Sequence, residues 1–481
     1  MKAYHLSLGL AAVGFAGCTM APHYERPAAP VASAWPETAV SRGPGQDGLA
    51  AQTTAAVAPD IGWEEFFGDA RLKALIRLAL ENNRDLRVVA LNLEQVRAQY
   101  RIAQLAFIPT LDANGSVVRS RSSGDLSLTG RPQTTTTYSV SADVSSYELD
   151  FFGRVRSLRD QALEFFLATD EARRSAHIAL VAEVARQYLN QRAIAEELRL
   201  AEDTLKAVES SFRIAQKRHE VGAASRLDLA TAESQVQLAR ADASTFRQQL
   251  VQADNALSVL IGGPLPQDLP APAAMNAQGI IADVAPGLPS DLLQRRPDIL
   301  QAEHELKAAN AQIGAARAAF FPAIKLTGGI GTASDELSRL FTAGSSTWNF
   351  VPRITLPIFA AGQNRAALDV ANIQKRIEIA RYESTIQNAF REVADALVAR
   401  ARVGEQIEAY DALARAQEER YNLTQARYKQ GVDSYLAVLI AQQDHYAAQQ
   451  NQIRVRLANY TNLIALYRAL GGGWNEQTVT R

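Results

Sequence analysis

The sequence predicts a mixed α/β membrane protein, assembled twice over within one chain. Four strands per chain contribute to a β-barrel shared among chains, and very long helices continue it. Three observations lead there. A turn motif recurs: "RHEVGAASRLDLATAESQVQLARA" from Arg218 is matched by "RYKQGVDSYLAVLIAQQDHYAAQQ" from Arg427, about 209 residues on. The pairs Gly222/Gly431, Ser225/Ser434 and Leu227/Leu436 fall at equal places in it. Each turn lies inside a long proline-free stretch rich in Ala, Leu, Glu, Gln and Arg, which are good helix formers. Between the helical stretches lie short segments that alternate apolar and small polar residues with a period of two.

The chain opens with "MKAYHLSLGLAAVGFAGCTM". Lys2 supplies a positive start, Leu6 to Phe15 an apolar run, and Ala16-Gly17-Cys18 a small-residue end. This pattern is a lipoprotein signal peptide over residues 1–17, although Phe15 stands where the usual motif has Leu. Cys18, the one cysteine, is then the acylated first residue of the mature chain, and no intrachain disulfide is possible. Residues 18–60, rich in Pro, Ala, Gly and Ser, read as an extended acylated tether. A net charge of −1 gives no reason to expect a polyanionic partner such as nucleic acid. Past the leader no run of 18 apolar residues occurs, so spanning helices are not expected, while barrel strands would escape a hydropathy scan.

From Trp63 the pattern is helical. Leu72, Leu75, Ile76 and Ala79 share one face, and Leu86, Val89, Leu93 and Val96 continue it after a break at Asn82-Asn83. Beyond Pro109 the period changes. In "TYSVSADVSSYELDFFG", Tyr138, Val140, Ala142 and Val144 alternate with Ser139, Ser141, Asp143 and Ser145. The phase slips at Ser145-Ser146 and resumes with Tyr147, Leu149 and Phe151, the mark of a bulge or a strand end. From Arg154 to about His219 runs a helix of roughly 65 residues, near 100 Å at 1.5 Å per residue. Ala-rich helices of that length pack laterally, in coiled-coil fashion.

The plan then recurs. "LAFIPTLDANGSV" has a counterpart in "AAFFPAIKLTGGI", and "LDFFGRVR" in "IFAAGQNR". In "WNFVPRITLPI", Trp348, Phe350, Ile354, Leu356 and Ile358 form the alternating apolar set. A second proline-free stretch follows, broken only by "KQGVDS". The chain reads as a tandem duplication, with 61–270 the first repeat and 271–481 the second.

Four short strands cannot close a barrel, and an open sheet edge cannot face lipid. Strands that span a membrane must therefore be pooled. Three chains give about twelve strands, within the range of outer-membrane barrels, and about twelve long helices, enough to enclose a conduit. The face of Ser139, Ser141, Asp143 and Ser145 suits a wet lumen; Tyr138, Val140 and Val144 suit lipid. A β-sandwich on a coiled coil shares the alternation, but the lipoprotein leader and the helix lengths weigh against it.

No catalytic constellation emerges, and no cofactor or metal is expected. His304-Glu305 opens like a zinc-protease motif, yet no second histidine follows at the required spacing. "GGIG" at Gly328 precedes no helix, so it is no dinucleotide fingerprint. In Arg295-Arg296-Pro297-Asp298, Pro297 suits a first helical position and Asp298 its positive end, leaving the arginines to cap or bridge neighbouring segments.

The segment "GLPSDLLQRRPDILQAEHELKAANAQIGAARAAFFPAIKLTG" (287–328) resembles the most recognisable stretch of the TolC-like outer-membrane factors, in their lipoprotein subgroup. "GCTMAPHYERP", "YELDFFGRVR", "RYKQGVDSYL" and "YRALGGGW" resemble that group in the same order, over nearly the whole mature chain. The resemblance implies a homotrimeric outer-membrane barrel continued by a periplasmic α-helical barrel. It implies the exit duct of a tripartite efflux system, with a periplasmic adaptor and an inner-membrane transporter of the RND type as partners. A lipid-anchored coiled-coil scaffold or adaptor is the competing class.

On that reading the turns at Gly222, Ser225, Gly431 and Ser434 are periplasmic tips, where the family docks its adaptor. The glycines free the backbone to reverse and the serines cap the returning helices; a purely turn-shaping role stays open beside docking. The family's narrowest ring implies a Leu and an Asp one helical turn apart. The matching positions here are Leu436 and Ile440, with Leu227 and Thr231 in the first repeat, so the acid is missing and an apolar constriction is expected. Asp228 and Asp433 are the nearest carboxylates.

Overall fold

In the computed structural model, residues 19–32, 34–35, 57–127, 130–282, 284–285 and 287–478 are described. Cys18 and the leader lie outside them. Among these, after a single 3-10 turn at Ala58–Asp60, come the α-helices α1 (Trp63–Phe66), α2 (Ala70–Asn82) and α3 (Arg84–Leu105). Strands β1 (Asp112–Ser122) and β2 (Gln133–Leu149) lead into α4 (Arg154–Glu220) and α5 (Arg226–Leu260). Then α6 (Pro289–Arg295), α7 (Pro297–Ala318), β3 (Ala323–Ser334) and β4 (Ser346–Thr355) precede α8 (Gln363–Lys429) and α9 (Tyr435–Ala469). Helices α4 and α8 each have 67 residues, and α5 and α9 each have 35. No helix among the described residues is long and apolar enough to cross a membrane.

The chain forms two compact units. One holds Met1–Ala28, Glu94–Thr169 and Ala302–Tyr382. Its centre is one antiparallel sheet in the order β1-β2-β3-β4. Cross-strand partners share a face, so the register assigns both faces. One carries Asn114, Ser116, Ser139, Ser141, Asp143, Thr347 and Asn349, with Gly329 and Gly331 opposite the β2 polar residues. There Ser116 and Ser139 hydroxyls meet at 2.7 Å, and Asn114 Nδ2 donates to Asp143 at 3.0 Å. The glycines leave room for these side chains: a Cβ on Gly331 would come within 2.7 Å of the Ser141 backbone. The other face carries Val117, Tyr138, Val140, Val144, Ile330, Trp348, Phe350 and Ile354. It is strongly exposed, with Trp348 at 78% and Ile330 at 70%.

The phase slip at Ser145-Ser146 is a bulge. The β2/β3 register shifts between Val144 and Tyr147, and Ser146 has φ 57°. One extra residue keeps Tyr147 and Leu149 on the apolar face; without it they would turn to the polar side. Strand β2 ends at Leu149 and β4 at Thr355, so Phe151, Leu356 and Ile358, expected within the alternation, lie past the strand ends.

In the same unit the segment after Thr19 is extended and docked. It runs along α7 in the opposite direction. Arg317 donates to the Met20 carbonyl at 3.3 Å, Asn310 to the Pro22 carbonyl at 2.8 Å, and Arg26 bidentately to Glu303 at 3.1 and 2.7 Å. Gly314 is the passing point: a Cβ there would lie 2.7 Å from the Ala21 nitrogen.

The second unit comprises Ala29–Leu93, Asp170–Gln301 and Glu383–Arg481. Its core gathers Trp63, Phe66, Phe67, Leu72, Leu75, Ile76, Tyr188 and Tyr467, all at most 1–2% exposed. Asp69 both caps α2, accepting from Arg71 N at 2.8 Å, and accepts from the Tyr188 hydroxyl at 2.6 Å. The long helices bury narrow stripes. On α5 the stripe is Ala232, Val236, Ala239 and Ala243, small residues that let backbones approach closely, as a coiled-coil seam requires. Arg296, deeply buried, joins Asp298, Glu392 and the Ala469 carbonyl at 3.0, 3.1 and 2.9 Å. That is the bridging role its position before Pro297 suggests, and it is structural.

Candidate functional site

The hairpin tips lie within the second unit, between α4 and α5 and between α8 and α9. Gly222 and Gly431 have φ of 76° and 77°, in the left-handed region, and a Cβ on either would meet nothing within 4 Å. The backbone alone therefore selects glycine here, because a side chain would be strained even in open space. The reversals close by the same backbone bonds: Gly222 N donates to the His219 carbonyl, and Gly431 N to the Tyr428 carbonyl, both at 2.9 Å. Ser225 is the N-cap of α5 and Ser434 of α9. Ser225 Oγ accepts from Asp228 N at 3.0 Å, and Asp228 accepts from Ser225 N at 3.1 Å, a capping box. Ser434 Oγ accepts from Ala437 N at 3.3 Å without the reciprocal acid.

These bonds give direction to the two carboxylates. Asp228 turns back onto its own cap. Asp433 is held by Arg427 at 2.7 and 3.0 Å, and that hydrogen-bonded pairing keeps its carboxyl below the usual range. Both are spent on shaping the turns. The apolar candidates stay outward: Leu227 is 75% exposed, Leu436 60% and Ile440 44%. Thr231 is half-buried and its hydroxyl donates back to the Leu227 carbonyl at 2.7 Å, so it adds little free polarity.

Equivalent arginines take different partners. Arg427 stays in its own turn, whereas Arg218 crosses to the other hairpin. Its Nη1 donates to the Tyr428 hydroxyl at 2.8 Å, with the guanidinium 5.3 Å from the ring centre. Tyr428 packs on Tyr435 at 5.6 Å, and burial, then Tyr428, Tyr421 and Asp228, push the Tyr435 hydroxyl up to about 12. Gln443 and Gln235 join α9 to α5 at 3.1 Å. Motif reading missed this link. Its one trace is that the motif's second residue differs, His219 in one copy and Tyr428 in the other. His219 serves its own turn, with Nδ1 2.9 Å from the Ala224 carbonyl.

The zinc-protease-like histidine is accounted for as well, since His304 Nδ1 lies 2.6 Å from Glu164. The tips thus consist of shaped turns with outward apolar side chains, their polar groups directed at one another.

Comparison with known proteins places the chain in a family. The sequence model described as "Outer membrane efflux protein" matches residues 75–263 and 288–472. The chain is 48% identical over 473 residues to the toluene efflux pump outer membrane protein TtgC of Pseudomonas putida, covering 98% of this chain and 96% of that one. It is 45% identical to the outer membrane protein OprJ of Pseudomonas aeruginosa, covering 98% and 97%. The open state of the MtrE outer membrane channel of Neisseria gonorrhoeae superposes with a TM-score of 0.85 at 40% identity, over 96% of this chain and all of that one. Its role is therefore transport through the outer membrane, and the chain belongs to the outer membrane efflux protein family.

Proposed function

We propose that three copies of the chain form the exit duct of a tripartite efflux system. The carrying observation is the sheet: four strands, an exposed apolar face, a polar face of Ser, Asn and Asp, and β1 and β4 each with one edge unpaired among the described residues. In lipid every backbone group must be paired, so those edges call for β1 of one copy to meet β4 of the next. Twelve strands then enclose the polar face as a lumen. The paired 67- and 35-residue helices support a tandem repeat whose two hairpins extend the lumen as a helical barrel in the periplasm. Acylation at Cys18 adds an anchor in outer-membrane lipid.

The tips at Gly222, Ser225, Gly431 and Ser434 receive a periplasmic adaptor, which couples the duct to an inner-membrane transporter of the RND type. Leu436, helped by Ile440 and by Leu227 and Thr231 of the first hairpin, forms an apolar constriction that closes by dewetting. The cargo is small toxic molecules, in keeping with relatives named for toluene and antibiotic efflux. A lipid-anchored scaffold or adaptor has no use for a sheet with one apolar and one polar face. Native mass measurement combined with planar-bilayer recording tests the proposal: a trimer with discrete conductance is expected. A monomeric pore, or a trimer that never conducts, would overturn it.

A further inference from the structure

The outward face of the sheet changes character at one level. Along β2 its residues run Leu149, Tyr147, Val144, Ala142, Val140 and Tyr138, and then become Thr136 and Thr134. On β1 the partners of those threonines are Arg119 and Arg121, on the same face as Val117. From Leu149 to Tyr138, allowing for the bulge, is about 34 Å along the strand at ~3.4 Å per residue. A strand tilt of about 40° makes that roughly 26 Å of height, the thickness of the apolar band on an outer-membrane barrel. Arg119 and Arg121 then stand about 5 and 10 Å beyond the band, within the headgroup layer.

Neither guanidinium meets a carboxylate among the described residues, although Arg339 in the nearby β3–β4 connection pairs with Asp335 and Glu336. The two arginines are two residues apart on one face, about 7 Å. Planar guanidinium forks bind phosphate bidentately and more strongly than neutral donors. Both lie at the hairpin end of the sheet, away from the strand ends that join the helices.

We propose that Arg119 and Arg121, with Thr136 and Thr134 beside them, form a binding site for the phosphorylated glycolipid headgroup of the outer leaflet. The assignment rests on the reading of the sheet as an outer-membrane barrel with its helices in the periplasm. Charge complementarity and continuity with the lipid-facing band select this occupant. In a trimer the site is repeated three times around the rim and ties each β1 edge to the surrounding leaflet.

Native mass spectrometry of the full-length assembly tests this, titrated with bisphosphorylated lipid A, dephosphorylated lipid A or phosphatidylglycerol. Bisphosphorylated lipid A should bind wild type about tenfold or more tighter than Arg119→Gln/Arg121→Gln, with Arg119→Lys/Arg121→Lys in between. Dephosphorylated lipid A should not distinguish them. Equal retention of bisphosphorylated lipid A by wild type and both double variants would overturn the site. Phosphatidylglycerol binding as tightly, and with the same arginine dependence, would overturn the glycolipid assignment. Planar-bilayer insertion of the wild type separates the two readings: a protein that conducts but shows no phosphate dependence defeats only this site, and one that never inserts defeats the barrel.

Discussion

Arg218 of the first hairpin donates to the hydroxyl of Tyr428 in the second at 2.8 Å, with its guanidinium 5.3 Å from the same ring. The pair is solvent-exposed, so its coupling is worth about 0.5–1 kcal/mol. Arg218→Ala should shorten closed dwell times in single-channel records by about two- to fivefold. Tyr428→Phe keeps the ring and should do less. Closed times in Arg218→Ala equal to wild type would mean that the link does not help hold the tips together.

Leu436 projects from α9 with 60% of its surface exposed, and the two turn carboxylates, Asp433 and Asp228, are engaged within their own turns. If it narrows the conduit by dewetting, Leu436→Ser should raise conductance in the absence of partners, with little dependence on pH. An unchanged conductance would return Leu436 to ordinary helix packing.

Gly222 and Gly431 hold positive φ in open space. A valine at either should cost about 1–2 kcal/mol of local strain and distort the tip. Gly222→Val/Gly431→Val should lose efflux with normal assembly yield, whereas the double asparagine variant, which tolerates this conformation, should retain most of it. Efflux intact in the valine variant would count against the tips as the docking surface.

Glu303 is 2% exposed and holds the N-terminal segment through Arg26 at 2.7 Å and Tyr24 at 3.3 Å, with Lys307 at 3.2 Å. Burial alone would raise its carboxyl; Lys307 and Arg26 outweigh that and keep it below the usual range. Hydrogen bonds to a charged group are worth about 1.5–3 kcal/mol. Arg26→Ala should therefore speed amide exchange over residues 20–27 by about tenfold or more, and Gly314→Leu should do the same by obstructing the passage of Ala21. Unaltered exchange in both would show that the segment is held elsewhere.

His177 packs edge-on to Trp474 at 4.9 Å, and Arg173 and Arg174 lie 5.0 and 5.7 Å from the centre of that ring. Burial, then Arg173, lowers its pKa to about 4, below the unfolded value of 6.5. Between those values the unfolded chain binds the extra proton, so the local stability is complete above about pH 6.5 and declines as pH falls toward 4. Hydrogen exchange of the segment around Trp474 should accelerate over that window, and His177→Gln should flatten the response. A wild-type profile flat from pH 7 to 4 would refute it.

Much of this architecture was legible because it is local. Helix and strand periods, the extra residue at Ser145-Ser146, and glycine and serine at the turns each follow from a few neighbouring residues, and the structure has α4 beginning at Arg154 and both turns capped by those serines. The family motifs also lie in continuous stretches. What the tertiary structure decided is which polar groups meet across the chain. Arg218 and Arg427 occupy equal places in the motif, yet one reaches Tyr428, 210 residues away, and the other Asp433, six away. Arg26 finds Glu303 across 277 residues, so part of the expected extended tether lies docked along α7. Periodicity reports which face of an element is apolar. It carries no record of which neighbour that face meets, and the energy of a charged or hydroxyl side chain depends on the neighbour.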